Sequence, residues 1–178
     1  MIAHSESYST RMTYARVAGF TFIFYIAAGI FSMSLPNGSP IIDALGLLLN
    51  LSALVLGVTL YLLTREHGPA IALLALLCRG MEAVHEQSAI FFSIGSLLFC
   101  WLLLRGRLIP AALAWLGVIA SALLVVILPL QLAGFLTNMN WSDSVTWIVW
   151  LPMLIFELIF ALWLTIKGVN ARQQNTIS

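Results

Sequence analysis

Six stretches of this chain are apolar over the length of a membrane crossing, and that pattern leaves few folds open. A bilayer core of about 30 Å takes ~20 residues of helix at about 1.5 Å each. The runs are Val17–Leu35, Ala44–Thr64, Pro69–Gln87, Ser88–Leu104, Leu108–Leu136 and Ser144–Ile166. The first, second, fourth and fifth carry no charge, and the last carries only Glu157. Hydrophobic types make up 61% of the 178 residues and charged types 8%, too few charges to cover a water-soluble surface. In hydrocarbon every backbone polar group must be satisfied internally, which selects helices here. The expected fold is an all-α polytopic membrane bundle of six transmembrane helices, with the lipid bilayer as its partner. A net charge of +1 provides no basic field for nucleic acid.

The third and fourth runs meet at Glu86-Gln87-Ser88, a poor turn, so residues 69–104 could instead form one long helix. Basic residues separate the two possibilities, because cytoplasmic loops collect Lys and Arg. With six spans, Arg11, Arg16, Arg65, Arg105, Arg107, Lys167 and Arg172 all share one side. Five spans would divide them three against four. Six spans with both termini cytoplasmic follow. Residues 1–16 are then a polar cytoplasmic segment, 17–168 the transmembrane domain and 169–178 a cytoplasmic tail. Pro36-Asn37-Gly38-Ser39-Pro40 and Thr137–Asp143 are polar outer loops, with Trp141, Trp147 and Trp150 near the outer boundary. The first apolar run exceeds a usual signal-peptide core, which favours an uncleaved first span.

Ionisable residues at membrane depth are costly and need partners. Arg79, Glu82, His85, Glu86 and Glu157 qualify, and the first four share one helix. At about 100° per residue, Arg79, Glu82 and Glu86 fall within about 60° of arc, and His85 widens the stripe to about 120°. Ala72 and Ala75 continue it, so this face is expected to point into the bundle. Arg79 is ten residues from Pro69, and Glu157 ten from Lys167, which puts both about 15 Å from the cytoplasmic boundary. Level and opposite in charge, they predict an ion pair between spans three and six, with Glu82 as the next candidate partner. His85 and Glu86 belong near the outer mouth. With Glu82 they could ligate a divalent metal or relay protons, or simply cap a tight hairpin. No metal site is assigned.

Small and polar residues at helical spacing predict close packing elsewhere: Gly46, Asn50, Ala53 and Gly57; Tyr25, Gly29 and Ser32; Ala114, Gly117 and Ser121. Asn50 adds an amide able to bond across helices. No cofactor is expected. His85 is the only membrane histidine, which leaves haem without a second axial ligand, and the only lysine, Lys167, sits at a helix end. No nucleotide loop, nucleophile elbow or nucleophile–base set is visible, which argues against an enzyme.

Several segments, in order, resemble one family. They are Arg16-Val17-Ala18-Gly19, Arg79-Gly80-Met81-Glu82-Ala83, Gly95-Ser96-Leu97-Leu98-Phe99, Arg107-Leu108-Ile109-Pro110 with Leu116-Gly117, and Glu157-Leu158 through Leu162-Trp163-Leu164 to Lys167-Gly168. Together they are similar to the bacterial domain-of-unknown-function family 4386. The resemblance implies a multi-pass bacterial inner-membrane protein, with Arg79, Glu82 and Glu157 matching the family's Arg-x-x-Glu and late membrane Glu. The chain departs from it in being short between spans three and four. Two functions are expected: binding or conducting a small polar solute, ion or proton around Arg79, Glu82 and Glu157, or a non-catalytic accessory role in which these charges are structural.

Overall fold

The computed structural model describes residues 2–36, 39–84, 88–135 and 143–169. Among the described residues there are six helices: α1 (Ile2–Met33), α2 (Pro40–Thr64), α3 (Pro69–Glu82), α4 (Ser88–Arg105), α5 (Ala111–Leu132) and α6 (Asp143–Ile166). A short 3₁₀ turn, Arg65–His67, joins α2 to α3, and no strand occurs among the described residues. Five of the helices are long and apolar enough to cross a membrane. Consecutive helices pack side by side and α1 packs against α6, closing a ring. The third and fourth runs are therefore two helices lying against one another rather than one rod.

Local chemistry explains several boundaries. Ser39 caps α2, its hydroxyl accepting from the Ile41 N–H at 3.3 Å, with Pro40 in the first turn. α5 starts one residue after Pro110, which stands outside the helix as its cap. It stops where Gly134 takes a positive φ of 79° and Phe135 N–H closes onto the Leu130 carbonyl at 3.1 Å. Arg107 ends α4 in the same way with φ 51°, Leu108 N–H bonding the Leu103 carbonyl.

Several boundaries differ from the expected ones: α2 starts at Pro40 rather than Ala44, and α5 starts at Ala111 rather than Leu108. α1 continues through residues 2–16, where no Gly or Pro interrupts it, and Arg11 forms an ion pair with Glu66 in the turn before α3. α3 ends at Glu82 rather than reaching Gln87, its last N–H groups tightening to i→i+3 bonds at Ala83 and Val84. Fourteen residues give α3 a length of about 21 Å.

The exterior is apolar. Phe20, Leu47, Leu77, Ile119 and Ile148 are each more than half exposed, a surface suited to lipid and prone to aggregate in water. Inside, Phe156 stacks on Phe160 at 5.3 Å, and Phe22 meets Phe160 edge-on at 5.6 Å. This triplet joins α1 to α6. One half of that seam is zipped tight: a Cβ on Gly19 would stand 2.7 Å from the Thr165 nitrogen and 2.9 Å from the Ala161 carbonyl oxygen. The other half opens, since a Cβ on Gly29 would meet nothing within 4 Å.

Candidate functional site

The inward face of α3 is the stripe read from the sequence: Ala72, Ala75, Arg79 and Glu82 are all buried. Arg79 is the largest fully buried side chain, 1% exposed, so its charge must be matched locally. Its Nη1 donates to Glu82 Oε2 at 2.6 Å, one turn along the same helix. The Tyr25 hydroxyl of α1 donates to the other oxygen, Oε1, at 2.9 Å. The Phe92 ring of α4 lies 4.8 Å from the guanidinium carbon, within cation–π range. Two glycines admit the stem: a Cβ on Gly57 would come 3.0 Å from Arg79 Cβ, and one on Gly95 3.7 Å from its Cγ. Four helices thus converge on one arginine.

Glu157 does not form the ion pair that the depth count predicts. It is buried on α6, yet its Oε1 has no hydrogen-bond partner, and neither has Arg79 Nε. Both residues line a cavity of about 10 Å³, room for one water, walled by Phe22, Phe99 and Phe156 among others. The two residues border one cavity without touching. A partner at i+3 is delivered by the helix itself, whereas one on α6 needs two backbones to close on each other.

The remaining predicted positions separate. Asn50 is exposed on α2, away from the network. It lies fourteen residues from Thr64, about 21 Å along α2, the level at which α3 has already run out. His85 and Glu86 lie outside the described residues, so the expected outer cluster with Glu82 does too. Among the described residues no group of three His, Cys, Asp or Glu could hold a metal ion. Ala114, Gly117 and Ser121 pack inward as expected, Gly117 leaving room for the Phe156 ring and Cys100 Sγ. Cys78 and Cys100 are buried free thiols.

Sequence reasoning put Tyr25 on a packing face and missed its bond to Glu82. A usable signal existed, because a phenol packed within an apolar span needs an acceptor. Phe92 carried no signal of its own.

Between the C-terminal part of α1 and the N-terminal part of α6, where Gly29 leaves the seam open, lies a groove of about 360 Å³. Ile26, Ile30, Trp147, Trp150 and Leu154 form apolar walls, and among the described residues Tyr25 and Glu157 bring its only ionisable groups. Glu157 borders both this groove and the small cavity at Arg79.

Apolar helices with a charged pair sealed inside define a multi-pass helical membrane protein. Residues 84–168 match the model of the family described as Domain of unknown function (DUF4386), which supports over that stretch the family assignment that the ordered motifs indicate. The matched segment includes α4, α5, α6 and Glu157, while Arg79 and Glu82 precede it. Neither a curated protein nor a solved structure matches the chain.

Proposed function

We propose that this is a bacterial inner-membrane protein of six spans, with α3 as the sixth crossing and both termini cytoplasmic, that binds a membrane-soluble small molecule. The unequal sizes of the two spaces that border Glu157 carry this reading. A path for ions or solutes through Arg79 and Glu82 needs continuous space, and the cavity there has room for a single water. The groove between α1 and α6 is some thirty-fold larger by volume, is open, and falls within the range of small-molecule sites at about 300–1,000 Å³. The Arg79–Glu82–Tyr25 cluster then acts as the lock of the bundle, the structural role that the second expectation gave it.

The topology predicts that cysteines introduced at Ser9 and at Asn175 react with a membrane-impermeant maleimide only after cells are opened. Labelling of either in intact cells would refute the arrangement. Binding is tested by thermal-shift screening of the purified protein against lipophilic compounds, beside Gly29→Phe, which fills the groove without touching the core. Stabilisation of the wild type that Gly29→Phe loses supports the reading. Proton or ion flux through reconstituted protein that Glu82→Gln abolishes would overturn it.

A further inference from the structure

We propose that the occupant of the α1/α6 groove is a lipophilic cation: an apolar body bearing one ammonium group whose N–H donates to Glu157. The inference rests on the groove being a binding site and adds the chemistry of what binds. Charge is its first support. The described interior holds Arg79, Glu82 and Glu157, one cation against two carboxyl groups. Arg79 and Glu82 match each other at 2.6 Å, which leaves Glu157 one positive charge short. A buried carboxylate without a counter-charge is costly, and a cation brought by the ligand removes that cost.

Geometry is the second support. Glu157 is 6% exposed, its Oε1 has no partner, and it stands at the deep end of the groove. Tyr25 beside it donates its hydroxyl to Glu82 rather than to Glu157. Beyond Glu157 the way is closed by the Phe22, Phe156 and Phe160 cluster. A ligand head entering from the lipid side therefore stops at the carboxylate. The third support is the wall. Trp147 is 58% exposed and Trp150 partly so, and indole faces attract ammonium groups as well as apolar bodies. Anionic heads would meet Glu157 with like charge, and neutral alcohols would gain the apolar wall without the charge.

The test uses full-length protein in phosphatidylcholine nanodiscs, whose neutral surface does not concentrate cations. Hexylammonium, hexanol and hexanoate are titrated against tryptophan fluorescence and thermal stability. Hexylammonium is expected to bind about tenfold or more tighter than hexanol, the gain of one charge-assisted hydrogen bond, and hexanoate weakest. Glu157→Gln should bring hexylammonium down to the level of hexanol, and Gly29→Phe should remove both. Equal binding of hexanol and hexylammonium to the wild type sinks the cation proposal and leaves the groove reading standing. So does hexylammonium affinity unchanged in a folded Glu157→Gln. Should that variant not fold, the wild-type ratio of the two ligands decides alone. No binding by any of the three compounds removes the groove reading as well.

Discussion

Glu82→Gln is expected to destabilise the bundle by about 3–5 kcal/mol, because it leaves Arg79 charged, buried and without its counter-ion. At roughly 2–4 °C per kcal/mol for a chain of this size, the midpoint of thermal unfolding should fall by about 6–20 °C. Replacing both partners tells more. Arg79→Met with Glu82→Leu removes the charge along with its match, and apolar substitutes for a buried pair are often neutral or better. The double variant should therefore recover most of the loss. Additive losses in a cycle of the four proteins would show that the two side chains act separately. A loss from Glu82→Gln below about 1 kcal/mol would have a specific meaning: Arg79 has turned across the small cavity to Glu157. Combining Glu82→Gln with Glu157→Gln then becomes far worse than the sum of its parts.

Gly19→Leu is expected to be the most damaging single change on α1. The added Cβ meets backbone atoms of α6, at 2.7 Å from Thr165 N and 2.9 Å from Ala161 O, and backbone cannot rotate away as a side chain can. Overpacking commonly costs about 1–3 kcal/mol, and this site belongs at the top of that range or above it. Gly29→Leu, ten residues along the same helix, meets nothing within 4 Å and should change stability by no more than about 0.5 kcal/mol. Thermal unfolding of the two variants side by side is the measurement. Equal losses would mean that the seam between α1 and α6 is not zipped at one end and parted at the other.

What could be read ahead of the structure was whatever depends on position along a single helix. Apolar run length located the helices, and period placed Ala72, Ala75, Arg79 and Glu82 on one buried face. Rise per residue put Arg79 and Glu157 level enough to border one cavity. What could not be read depends on distances between helices. Whether Arg79 pairs along α3 or across to α6 is a matter of a few ångströms that no spacing encodes. Asn50 and Gly29 have the same small-and-polar signature as Gly57 and Ala53, yet they fall where the neighbouring helix has ended or moved off. The groove is a property of that divergence, so no residue on either wall announces it. The early end of α3 was missed for a related reason. The polar residues His85-Glu86-Gln87 were counted into a span that the helix abandons at Glu82.

That early end has a consequence for the surroundings. If α3 is the sixth crossing, its roughly 21 Å rod sits in an oil layer about 30 Å deep, a mismatch of several ångströms beside longer neighbours. Acyl chains next to it must shorten or splay, and the leaflet dimples toward the carboxylate that closes the helix. Thin membranes would accommodate that depression more readily than thick ones, so bilayer thickness becomes a variable to which this fold is sensitive.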